Sequence, residues 1–133
     1  MSEDRPPSGG ATHAALLDAR ARVVHDLGAR GVDAAAHVDV VDDAVRERRW
    51  WLEAWPEGAD HVAGQVAQDV QEALLDRHGL RWPLCASAHP DDDDPRPHVL
   101  HVLPDLGPDP HWVCEETATA AAPLGRLSGP ATG

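Results

Sequence analysis

Two short spacings in the C-terminal third hold the residue types that zinc takes: Cys85-Ala-Ser-Ala-His89 and, after 21 intervening residues, His111-Trp-Val-Cys114. Thiolate sulfur and imidazole nitrogen are the donors of tetrahedral zinc sites, and a hairpin bringing two such pairs together completes a four-ligand structural site. The expected metal ligands are therefore Cys85, His89, His111 and Cys114, with His101 as the substitute in a set built on Cys85 and Cys114. A three-ligand version would leave a position for water, which Glu115 or Glu116 would assist. Against a metal stands the single Cys in each half where a doubled C-x-x-C would be specific, and the nine histidines make such spacings easy to meet by chance. The competing reading is a buried thiol at Cys114 on the strand face of Trp112, with solvent-facing histidines.

Other chemistry is poorly represented. The chain has no Gly-rich phosphate loop, no H-E-x-x-H and no G-x-S-x-G, so no catalytic residue is assigned. Cys85 with His89 lacks the third, orienting group that a thiolate nucleophile requires. The run Asp91 to Asp94, between Pro90 and Pro95, lacks the alternating oxygens and the glycine of a calcium loop, and reads as a solvated loop.

The aromatic content lies in five tryptophans, with no Phe and no Tyr. At least three should pack the core, because no other aromatic fills it. Trp50, Trp51 and Trp55 form the candidate interaction segment, since tryptophan is enriched among binding hot spots. Acids outnumber bases by 23 to 11, the net charge is -12, and every base is Arg. That balance favours a protein partner with a basic surface and disfavours nucleic acid, because the densest basic stretch, Arg46, Arg48 and Arg49, is interrupted by Glu47. Met1 to Gly10 has neither the basic start nor the apolar run of a secretory signal, and no segment has membrane-spanning length; a cytoplasmic location with reduced cysteines is expected.

These residues must be positioned by a mixed architecture. Residues 1–10 read as a disordered leader and 128–133 as a frayed tail, around one compact domain over 11–127. Leu16, Val23 and Leu27 recur at helical spacing from Thr12 to Ala29, with Asp18, Arg20, Arg22 and Asp26 on the polar face. Alternation from Val32 to Val41 predicts a strand and Asp42-Asp43 a turn; Val45 to Trp55 is ambiguous between a second strand, which the paired tryptophans favour, and a helix that would stack Trp51 and Trp55 one turn apart. A helix follows, capped by Asp60, with a stripe of Val62, Val66, Val70 and Leu74 and an exit at Gly79. The proline-rich region 80–127 is expected to form a β hairpin, His98 to Leu103 with Trp112 to Glu116, and a third strand near Thr119 to Ala122.

The expected class is α+β, with two helices packed on one side of a small antiparallel sheet and residues 11–79 running helix-strand-strand-helix. The expected function is a non-catalytic protein-interaction or regulatory module. The alternative is a ribbon-like zinc-binding domain whose metal is structural before it is hydrolytic.

Overall fold

Proline fits the first turn of a helix because its missing N–H would be unbonded there in any case. Helix α1 opens accordingly at Pro7 and runs to Ala29. In the computed structural model the described residues are 7–85, 99–104, 107, 109–115 and 118–128, with the backbone alone for 7–11. Helix α1 thus reaches back into the stretch whose composition suggested a leader. Once a packed helix is nucleated, each added turn is cheap even through Gly9 and Gly10. Leu16, Ala19, Val23 and Leu27 form its buried stripe.

Neither strand expected between the first two helices forms: residues 32–37 are coil and turn, and a helix takes the rest. Helix α2 spans Val38–Ala54 and buries Val40, Val41, Ala44 and Leu52. The alternation that suggested strands is short, whereas those four positions recur at helical spacing. Asp42 and Asp43 are not a turn but part of α2, where Asp42 accepts from Arg20 Nε of α1 at 3.1 Å and Asp43 from Arg46 at 2.8 Å. A 3-10 turn, Pro56–Asp60, leads into helix α3, Val62–His78. Asp60 lies inside that turn and does not cap α3; the cap position is His61, with no side-chain cap bond. The far end of α3 closes at Gly79, φ 61°, where Gly79 N–H reaches Leu75 O and Leu80 N–H reaches Leu74 O. This left-handed closure is the reason for the glycine.

The three helices pack on one another. Strands β1 (His101–Leu103), β2 (His111–Cys114) and β3 (Thr119–Pro123) form an antiparallel sheet in the order β1-β2-β3. His101 pairs with Val113, and Leu103 with His111. The chain is therefore α+β, with a helical N-terminal part and its sheet in the C-terminal third. Val102, Trp112 and Cys114 point inward, joining Leu100, Leu124 and Leu127 in the core shared with the helices. On α3, Gly64 lets the sheet approach: a Cβ there would lie 3.3 Å from both Val102 and Pro110.

The join between helices and sheet is polar as well as apolar. Asp26, placed by periodicity on the solvent face of α1, is fully buried. Its Oδ2 accepts from Trp112 Nε1 at 2.8 Å and Gly125 N–H at 2.7 Å. Oδ1 accepts from Leu127 N–H at 3.1 Å and lies 2.9 Å from His25 Nδ1, while the backbone carbonyl of Asp26 accepts from Trp82 Nε1 at 3.2 Å. The two buried indoles meet edge to face at 5.2 Å. Asp26→Asn keeps the size but points an amide N–H₂ at donors. Its expected cost is about 2–4 kcal/mol from donors left unsatisfied, measurable as a lower urea midpoint with an unchanged m value.

Candidate functional site

The second half of α2 reads Arg46-Glu-Arg-Arg-Trp-Trp-Leu-Glu-Ala-Trp55. Helical spacing separates these residues into inward clamps and outward groups. Arg48 makes a two-pronged ion pair with Asp69 of α3, Nε to Oδ2 at 2.6 Å and Nη2 to Oδ1 at 3.0 Å, with its guanidinium 5.1 Å from the Trp51 ring centroid. Arg46 and Arg77 converge on Asp43 at 2.8 and 3.0 Å. Hydrogen bonds from Arg77 and then Arg46 hold the Asp43 carboxyl below the usual aspartate range. These groups, with Trp50, Trp51 and Ala73, line a cleft of about 620 Å³ between α2 and α3. The basic stretch is thereby largely committed to the chain's own carboxylates. Arg49 has no carboxylate partner among the described residues.

Beyond the clamps, the end of α2 and the 3-10 turn form an aromatic corner. Trp51 and Trp55, one helical turn apart, meet edge to face at 5.2 Å, and Trp55 lies 5.8 Å from the His61 ring. Gly58 fits beneath both indoles: a Cβ there would come within 2.6 Å of Trp55 and 2.8 Å of Trp51. Trp50 is 72% exposed and Trp55 36%. Of the three interaction candidates, two are thus at the surface and Trp51 is partly packed. Glu53, Glu57 and Asp60 are exposed and make no ion pair among the described residues.

The expected metal ligands fall differently. His89 lies outside the described residues, as do Glu116 and Asp91 to Asp94. Cys114 is buried and Cys85 is partly buried against the same core. Strand alternation sends His111 to the face opposite Cys114, together with His101. His101 Nε2 lies 3.5 Å from Glu115, and His111 Nδ1 is bonded to the Asp109 carbonyl at 2.8 Å. Among the described residues, no three His, Cys, Asp or Glu side chains gather as a metal-binding group. The structure therefore brings the two cysteines to one core and directs the two described histidines away from Cys114.

Residues 12–124 match the family described as Domain of unknown function (DUF8819). The chain belongs to that family. No curated protein and no solved structure matches it. The DUF8819 match runs from within α1 to just past β3, and so takes in Asp26, the arginine clamps and the aromatic corner. In the described part of this DUF8819 chain, no helix is long and apolar enough to cross a membrane.

Asp26 sits in a helical pattern whose polar positions are ordinarily solvated. The available signal was its step in the stripe: Asp26 follows Ala19 and Val23 at helical spacing.

Two outcomes follow from this geometry. Because the Asp43 carboxyl is held below its ordinary range, its pairing stabilises the fold at neutral pH, and that contribution disappears as acid protonates the carboxylate. Asp43→Asn should lower the thermal midpoint at neutral pH, with the two proteins converging in strong acid, and added salt should shrink the difference. Gly58→Ala should cost about 1–3 kcal/mol from overpacking against the indoles. Gly28→Ala, whose Cβ would meet nothing within 4 Å, serves as the control; tryptophan-monitored denaturation compares the two.

Proposed function

We propose that this chain is a non-catalytic protein-interaction module that docks a basic partner on the exposed end of α2 and the turn after it. The observation that carries the reading is Trp50, an indole 72% exposed in a chain whose other aromatics number four. Covering such a ring is worth about 2–3 kcal/mol of apolar burial, and tryptophan is the residue type most often found to anchor an interface. The ring also starts from a fixed helix. The Arg48–Asp69 clamp and the filled corner at Gly58 hold the backbone beneath it, so little ordering remains to be done on binding.

The chemistry of the partner follows from what surrounds the indoles. Glu53, Glu57 and Asp60 are exposed carboxylates without a cation among the described residues, and the whole chain carries a charge of -12. Such a field speeds encounter with a cationic surface and repels acidic ones. The partner contact is therefore a Lys- or Arg-rich segment that also offers an apolar side chain to Trp50.

A photoreactive amino acid in place of Trp50, in the full chain expressed in its native host, tests the reading. Crosslinks should map to a basic segment of one protein. Their yield should fall when salt is raised to about 1 M, where the screening length is about 3 Å, and when Glu53, Glu57 and Asp60 are together changed to their amides. A crosslink to an acidic segment, or a yield indifferent to both salt and the amide changes, would overturn it.

A further inference from the structure

A second cleft, of about 500 Å³, lies where α1, β2 and the turn after β3 meet, and shares no lining residue with the cleft between α2 and α3. Its polar lining is Asp18, Arg22, Asp109, His111 and Arg126. Asp18 accepts from Arg22 Nε at 2.9 Å, which orients the guanidinium, and its terminal N–H₂ groups have no partner among the described residues. The Arg126 side chain has no partner among the described residues. On His111, Nδ1 is fixed as the donor because its partner is the Asp109 carbonyl, so Nε2 of the neutral ring is an acceptor. Asp109 adopts φ 54° to present that carbonyl, a left-handed conformation that Asp tolerates better than most residues.

The frame beneath these groups is rigid. Leu124 N–H is bonded to Pro110 O at 3.0 Å, and Gly125 N–H to buried Asp26 at 2.7 Å. Gly125, at φ 90°, passes so close to Arg22 that a Cβ would come within 2.7 Å of that side chain. Two guanidinium groups and one acceptor nitrogen are thereby brought to one cleft by three separate elements.

We infer that this cleft binds hydrogenphosphate, with Arg22 and Arg126 donating to its oxyanions and His111 Nε2 accepting its P–OH proton. The pairing of donors with an acceptor separates this ligand from others of its size. Sulfate has the oxyanions but no proton at ordinary pH, and a phosphate monoester dianion has lost its proton too. The charge count limits affinity, because the Asp18–Arg22 pair is neutral and the Asp109 carboxylate opposes Arg126. A polyanion would in addition meet the field of the whole chain.

Calorimetric titration of the full chain with inorganic phosphate, sulfate and methyl phosphate, in mildly alkaline buffer, tests the assignment. Phosphate should saturate one site and bind about tenfold more tightly than either control, the loss expected for one unmatched polar group. Arg126→Gln, at an exposed position, should weaken phosphate by a similar factor, and His111→Phe should remove the preference over sulfate. Asp109→Asn keeps a residue that tolerates the left-handed backbone and removes the opposing charge; it should tighten binding about fivefold, a gain that a purely structural role would not give. Absence of saturable binding by about 20 mM phosphate, weaker than any useful site, would overturn the proposal. So would equal affinity for all three anions, or affinities unmoved by Arg126→Gln and Asp109→Asn.

Discussion

A carboxylate removed from water loses several kcal/mol of hydration, which must be replaced by hydrogen bonds or a counter-charge. Asp26 is fully buried, and its replacement comes from an indole, two backbone N–H groups and an adjacent imidazole. Those donors belong to α1, β2 and the segment after β3. No one of these elements supplies enough by itself, so the carboxylate is comfortable only when all of them are in place. The same residue's carbonyl holds Trp82, and through it the segment leading to Leu84, which pairs with Val99. In a core built largely from Val, Leu and Ala, this polar knot fixes where the sheet sits on the helices. Apolar packing alone would tolerate sliding, whereas a satisfied buried network specifies one arrangement.

The helices are tied by a different set of charges. Arg20 reaches from α1 to Asp42 of α2, Arg48 of α2 reaches Asp69 of α3, and Arg77 of α3 returns to Asp43 of α2. Each pair is partly exposed and individually modest. Their collective effect is on the surface that remains. With acids at 23 and bases at 11, arginines spent between helices leave carboxylates as the dominant outward charge. The negative outward character of the surface is thus a by-product of how the bundle is clamped.

Sequence and structure agree where burial and local preference point the same way. Helix α3 was legible because its stripe of Val62, Val66, Val70 and Leu74 is uninterrupted and Gly79 supplies a left-handed exit. The mixed α+β class was legible for a similar reason, since proline and turn residues beyond Gly79 exclude long helices. Helix α2 was not, because Val38, Val40 and the paired tryptophans imitate strand alternation over a stretch too short to decide. What decides is tertiary: Asp42 and Asp43 find arginines on α1 and α3 only if the segment is helical. For Asp26 only the helical step after Ala19 and Val23 was legible; its network was not, as the partners of its carboxylate other than His25 lie 86 to 101 residues further along the chain. The candidate site fared likewise. Trp50 and Trp55 are at the surface, but the helix that presents them, and the role of Gly58 beneath the rings, could be read only from the fold.

The cleft and the aromatic corner share the packing of α1 but have different polar supports. The oxyanion cleft borrows its rigidity from Asp26, whose Oδ2 holds Gly125 N–H immediately before Arg126. The tryptophan corner borrows its rigidity from Arg48–Asp69 and from Gly58, on α2, α3 and the turn between them. Helix α1 contacts both of the other helices and the 3-10 turn, while Asp18, Arg22 and Asp26 serve the side of the cleft. Energetic effects add when sites share no partners and fail to add when they do. Damage to the Asp26 network should therefore loosen the anion cleft more than the indoles, which feel it only through the packing of α1, and weakening of the arginine clamps should do the reverse. The fold thereby places an acidic, aromatic face and a small cleft of two arginines and two aspartates on one chain, each with its own polar supports.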